Sequence, residues 1–194
     1  MKKLLIVVVL VIAVGAMWAT GVYNSLISSK AGVDKEWSNV EIQYQRRSDL
    51  VPQLVATVSG VANFEKTTLT QVVEARAKAT SITVNPSDPA SLEQFQNSQT
   101  ELSGALSRLL VTMEAYPQLT ASKSFQDLQA QLEGTENRIA VARGDYNTVA
   151  TTWNASVQRV PTVLVARIFG FDPVVLFDAQ AGAETAPKID FNVQ

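Results

Sequence analysis

The 194-residue chain contains neither histidine nor cysteine. Without His it lacks the commonest general base near neutral pH and the commonest metal ligand. With Cys missing as well, the usual zinc sites, Cys nucleophiles and Ser-His systems are excluded, and no disulfide can form. The Glu-x-x-His pairs that hold two irons in some four-helix bundles fail for the same reason. No cofactor or metal is therefore expected. Basic residues are sparse too: 16 Lys and Arg stand against 18 Asp and Glu, for a net charge of −2. No basic stripe runs along the chain, which argues against nucleic acid as a partner. Sustained period-two alternation is also missing, so no strand is expected.

What is present begins at the N-terminus, where Lys2 and Lys3 precede an uncharged apolar run from Leu4 to Tyr23. As a helix that run reaches roughly 30 Å, the hydrocarbon thickness of a bilayer. A transmembrane helix over residues 4–23 behind a short N-terminus, 1–3, is the expectation. A cleaved secretory signal would share the basic start and apolar stretch, with Val14-Gly15-Ala16 or Ala19-Thr20-Gly21 as small-residue cleavage sites. The length of the run favours an uncleaved anchor, as do Trp18 and Tyr23 near its far end, where amphipathic rings suit the headgroup level. Helical character continues through Val22, Leu26, Ile27 and Val33, weakened only by Gly21 and Gly32 at about 1 kcal/mol each. Lys2 and Lys3 abut the run, whereas Lys30 and Lys35 lie further off among Asp34 and Glu36. This bias predicts a cytoplasmic N-terminus and an extracytoplasmic body.

The remaining stretch, about 165 residues, is long enough for one domain with a real core. Apolar residues recur in steps of three and four, which places them on single helical faces. The first stripe is Val33, Trp37, Val40 and Tyr44, and the second is Val51, Leu54, Val58 and Val61 with Leu69, Val72 and Val73. The third runs Leu92, Phe95, Leu102, Leu106, Leu109, Met113, with Gln99 as its one polar position. The fourth is Phe125, Leu128, Leu132, Thr135, Ile139, Ala142, Tyr146, Val149, Trp153. The expected fold is all-α: a transmembrane helix followed by an antiparallel four-helix-type bundle over residues 24–180, then a loosely ordered tail, 181–194.

Asp49 is a possible cap for a helix with Pro52 in its first turn, so the first two stripes are either separate helices or one kinked helix. Asn85-Pro86-Ser87-Asp88-Pro89 marks a loop, with Ser91 as a cap; Tyr116-Pro117 closes the third helix, Ser122 or Ser124 opens the fourth, and Pro161 ends it. From Pro161 to Phe177 apolar residues crowd together, including Phe169 and Phe171. That segment is too short and interrupted to span a bilayer; it reads as a short helix and turn covering one end of the bundle, or as an interfacial or self-association patch.

One run stands out as specific, Arg46-Arg47-Ser48-Asp49-Leu50-Val51-Pro52-Gln53-Leu54-Val55. It is supported in order by Tyr23-Asn24 with Leu26, Trp37-Ser38, Glu74-Ala75-Arg76, Tyr116-Pro117-Gln118-Leu119, Phe125 with Leu128-Gln129, Glu136-Asn137-Arg138-Ile139, Ala142-Arg143, Tyr146-Asn147 and Phe169-Gly170-Phe171. On these residues, from Tyr23 to Phe177, the chain resembles the bacterial LemA family of membrane-anchored proteins, which makes a bacterial inner membrane the expected location. Trp153-Asn154 departs slightly, since the family more often has Tyr or Phe before that Asn. The resemblance implies an antiparallel helical domain on an N-terminal anchor, no established enzymatic activity and no catalytic residues to transfer. Occurrence of relatives near membrane proteases and in a membrane-remodelling setting implies scaffolding, by analogy.

Arg46, Arg47 and Asp49, with Glu136, Arg138 and Arg143 on the fourth helix, are the polar residues with most potential beyond solvation. They are expected to pair between neighbouring helices, or to meet carboxylates of another copy. Arg46→Ala with Arg47→Ala is then expected to weaken assembly while leaving helical content largely intact. Asn24, Asn147 and Asn154 read as helix-end or surface amides, and Trp37 and Trp153 as core. No spacing singles out a carboxylate pair for hydrolysis. The expected function is a non-enzymatic, single-pass membrane scaffold that forms homo-oligomers and contacts lipid. The alternative is a periplasmic adaptor or sensor that presents a peptide or ligand to a membrane protease.

Overall fold

The computed structural model describes residues 1–60 and 66–178; Val61 of the second stripe and the 181–194 tail lie outside the described residues. The protein is all-α. The six described helices are α1 (Lys2–Ser59), α2 (Lys66–Ser81), α3 (Pro89–Met113), α4 (Pro117–Thr120), α5 (Lys123–Gln158) and α6 (Thr162–Phe169). The apolar run, the first stripe and the start of the second, Val51 to Val58, share one helix, whereas Leu69, Val72 and Val73 of the second stripe lie on α2. Helix α1 is 58 residues long, about 87 Å at the usual rise. Residues 1–18 are exposed, and α1 is long and apolar enough there to cross a membrane.

Helix α1 rises through the bundle, α2 turns back, α3 rises again and α5 descends beside α1, so the four alternate in direction. The buried residues form two groups. The proximal group, towards the apolar run, contains Leu26, Val33, Trp37, Val40 and Tyr44 of α1, Leu92 and Phe95 of α3, and Ile139 to Val157 of α5. The distal group contains Val51, Leu54 and Val58, Val72 to Ala79 of α2, Leu102 to Met113, and Phe125 and Leu132. On α1, α3 and α5 alike the chain passes from one group to the other across a few residues that include polar ones.

Local signals explain the ends. Asp88 caps α3, its Oδ1 accepting from the Ala90 amide at 3.1 Å with Pro89 in the first turn, while Ser91 Oγ accepts from the Asn85 amide instead of capping. Ser122 caps α5 by accepting from Phe125 N. Gly170 closes α6 at φ 71°, a left-handed conformation that suits glycine, and the Phe171 amide reaches back to the Ala166 carbonyl at 2.9 Å. This reversal sends residues 171–178 back along α5.

Pro52 lies in the interior of α1, and Asp49 caps nothing: its carboxylate accepts from Gln45 Nε2 at 2.8 Å. A proline here has no amide to offer the carbonyl of Ser48. Arg76 of α2 supplies the missing donor, its Nε lying 2.8 Å from that oxygen. The helix therefore continues through Pro52 because a neighbouring helix completes its hydrogen bonding.

Candidate functional site

Between the two apolar groups Arg47 enters the bundle from α1 and is only 2% exposed. Its Nη1 donates to Ser103 Oγ at 2.6 Å and to Glu136 Oε1 at 2.7 Å. Its Nη2 donates to the Gln99 side-chain oxygen at 2.6 Å and to the Gln99 carbonyl at 3.2 Å. Gln99 passes the link on, donating from Nε2 to the Ala79 carbonyl at 3.3 Å. One guanidinium thus joins α1, α3 and α5 directly and α2 through Gln99. The Arg47 carbon centre also lies 5.2 Å from the Tyr44 ring centroid.

A buried guanidinium gives up strong hydration, so such a layer adds little net stability but makes loss of one partner costly. Its planar fork demands acceptors in fixed directions, which fixes the register of the helices that provide them. Glu136, 42% exposed at its side chain, reaches the layer from the solvent side. Burial raises the Tyr44 hydroxyl above its ordinary pKa, opposed by the nearby charges of Arg143 and Arg47.

A second constellation lies on α5. Asn147 Nδ2 donates to the Phe177 carbonyl and its Oδ1 accepts from the Phe177 amide, both at 2.9 Å. Seven residues on, Asn154 treats Val174 in the same way, both contacts at 2.8 Å. Between and beside them Tyr146 Oη donates to the Val175 carbonyl at 2.9 Å, Trp153 Nε1 to the Asp172 backbone carbonyl at 2.9 Å, and Arg143 Nη2 to the Asp178 backbone carbonyl at 2.7 Å. The Val175 amide donates to the Pro86 carbonyl at 2.9 Å. An extended segment is thus held through its backbone while Val174 and Phe177 fill the core. The Phe177 ring stacks on Trp37, 5.8 Å between centroids, and lies 4.9 Å from the Arg143 carbon centre.

These positions separate the residues singled out by sequence. Arg47 and Glu136 are internal partners. Arg46 and Arg138, their sequence neighbours, are exposed, as is Asp49. Arg143 of α5 holds the C-terminal segment, to which Phe171 belongs, and Phe169 packs on Tyr23 with ring centroids 4.8 Å apart. Asn147 and Asn154 are not idle surface amides, in contrast to the expectation, although Asn24 is exposed. Their seven-residue spacing, each one step after Tyr146 or Trp153, is the signal that marked a shared face. Among the described residues no group of three acidic side chains is placed to hold a metal ion.

The LemA family matches residues 36–191. A curated Protein LemA from Metamycoplasma hominis is 24% identical over 180 residues, spanning 92% of this chain and 80% of its own length. Magnetosome protein MamQ 2 from Paramagnetospirillum magneticum is 26% identical over 201 residues, spanning 93% and 74%; Magnetosome protein MamQ from Magnetospirillum gryphiswaldense is 24% identical over 182 residues, spanning 84% and 67%. The family match takes in the Arg47 layer, the Pro52 accommodation and the asparagine face together, and the chain belongs to the LemA family.

Proposed function

We propose that the protein is a non-enzymatic, single-pass membrane scaffold that associates with copies of itself in the bacterial envelope. The observation that carries this reading is the continuity of α1, in which one 58-residue helix includes the apolar run and one wall of both apolar groups. A rod of that kind couples the orientation of the body to that of its anchor, so contacts between bodies order the anchors beneath them. Similarity to proteins named for the magnetosome supports an envelope role. The charge bias of Lys2 and Lys3 supports a cytoplasmic N-terminus, with the body outside the inner membrane. Exposed Arg46, Asp49 and Arg138 are the charges available to a second copy.

Mass photometry of detergent-solubilised full-length protein tests the scaffold, with particles of several chains expected and their mass reduced by Arg46→Ala with Arg138→Ala. Strictly monomeric particles with no partner protein would refute it. Protease digestion of residues 30–194 in intact spheroplasts tests the orientation. The asparagine face favours a second reading, an adaptor for a membrane protease, because it grips an extended segment through its backbone. That reading expects co-purification with a protease and no large homo-oligomer.

A further inference from the structure

The bundle leaves an apolar stripe uncovered at one end. Val160 is 78% exposed, Leu164 60% and Ile168 77%, with Phe169 also exposed. Spaced by four, Leu164 and Ile168 share one face of α6, with Val160 in the turn that leads into the helix, while Val165 and Ala166 turn into the core. The level of this stripe is fixed by α1: Phe169 packs on Tyr23, the last residue of the apolar run, and Val22 and Tyr23 lie against the same proximal core. Beside it a cleft of about 140 Å³ is lined by Arg159 with the hydroxyl residues Ser25, Ser29, Ser156 and Thr162.

We propose that α6 is an interfacial helix, lying in the plane of the bilayer that α1 crosses, with Val160, Leu164, Ile168 and Phe169 among the upper acyl chains. The occupant of this face is phospholipid. An apolar stripe at the edge of a lipid-exposed span meets lipid before it meets a soluble protein. Helix α6 is also only about 12 Å long, so its exposed face alone is too small to supply the roughly 800 Å² per partner of a standard-size protein interface. Arg159 and Arg167, both exposed, flank the stripe and lie at the level of the lipid phosphates, where long cationic side chains reach the headgroups. The body then stands on the membrane at two points, the anchor and α6, instead of swinging from one.

The proposal rests on the membrane reading of α1, and the absence of cysteine lets both be tested on the full-length chain. Nitroxide labels are placed singly through Val11→Cys, Leu164→Cys, Ile168→Cys and Val141→Cys in phosphatidylcholine/phosphatidylglycerol nanodiscs, and collisions with oxygen and with a water-soluble nickel chelate are compared. Labels at 164 and 168 are expected to favour oxygen several-fold over the label at 141, as the label at 11 does. A label at 168 that matches the one at 141, with 11 still in lipid, overturns the proposal alone; a water-accessible label at 11 overturns the membrane reading too. Spin–spin broadening at 168 without oxygen preference would assign the stripe to a second copy and also overturn it. Adding Leu164→Asp to the Ile168→Cys chain is expected to cut the oxygen preference several-fold with circular dichroism unchanged, and an unchanged preference counts against the assignment.

Discussion

The two halves of the bundle are held together by different chemistry. The proximal half is aromatic: Trp37 lies 5.3 Å from Tyr146, 6.2 Å from Phe95 and 5.8 Å from Phe177 between ring centroids, and Tyr44 meets Phe95 at 5.0 Å. It is closed by a segment held through side chain to backbone hydrogen bonds. The distal half is aliphatic, with Phe125 its one fully buried ring among the described residues. Leucine and valine faces pack there with few directional bonds, the Arg76 contact to the Ser48 carbonyl and the Lys78–Glu101 pair among them. Aromatic edges and amide pairs admit few arrangements, whereas aliphatic cores tolerate repacking at constant volume. Positional precision is therefore concentrated in the half nearer the apolar run, with the Arg47 layer as the joint.

The joint is the place to break this division. Arg47→Ala is expected to destabilise the fold by about 3 kcal/mol, since the acceptors gathered around the guanidinium lose their donor inside the bundle. Arg46→Ala, one residue away but exposed, should stay within about 0.5 kcal/mol. Thermal unfolding followed by circular dichroism checks both. The two arginines thus separate into a fold residue and a surface residue. A cost for Arg47→Ala no greater than that for Arg46→Ala would remove the layer as the element that joins the halves.

The proximal half is next. Asn147→Ala with Asn154→Ala strips partners from two backbone amides and two carbonyls, at about 1 kcal/mol or more per asparagine. Hydrogen exchange is expected to rise over residues 172–178 and to stay unchanged at Leu102–Leu109 on the distal side. Equal loosening of both halves would show that the C-terminal segment supports the whole bundle.

Much of this organisation is legible in the residues themselves. Steps of three and four mark the buried faces of α1, α3 and α5, while the second stripe runs residues of α1 and α2 together, and Gln99, the one polar position in the third stripe, lies at the joint between the halves. Pairing is harder to read because it is tertiary. Nothing local in Arg46-Arg47 says which guanidinium turns inward; that follows from where α3 and α5 place Ser103, Gln99 and Glu136. Pro52 likewise signals a helix start, and only the arrival of Arg76 from α2 makes it an interior residue. The apolar C-terminal segment reads as a cover or as a contact patch, but its extended backbone carries no periodicity of its own, and its partners are side chains on α5.

The relation between Pro52 and Arg76 sharpens the distal side of the comparison, where directional bonds are otherwise few. Arg76→Ala is expected to cost about 1–2 kcal/mol by leaving the Ser48 carbonyl without a donor. In a Pro52→Ala background the restored amide takes that role, and the cost should fall close to zero. A double-mutant cycle in urea measures the coupling; additive effects would show that Arg76 acts through something other than the gap left by the proline.

The smallest expected effect is a matter of pH and belongs to the proximal half. Tyr146 is buried and donates to the Val175 carbonyl, and burial, with the charge of Asp34 adding to it, pushes its hydroxyl from 10.0 to about 12. A pKa raised by folding means that the unfolded chain releases the proton first. The stabilisation from the neutral hydroxyl is complete below pH 10 and is lost as the pH climbs from 10 through about 12. Tyr146→Phe removes the hydrogen bond at the cost of about 1 kcal/mol at neutral pH, and removes this part of the alkaline loss. Urea midpoints at pH 8 and pH 11 should therefore lie closer together for Tyr146→Phe than for the unaltered chain. An unchanged gap would mean that alkaline weakening enters elsewhere, with Tyr44, raised in the same direction beside the Arg47 layer, as the next residue to replace.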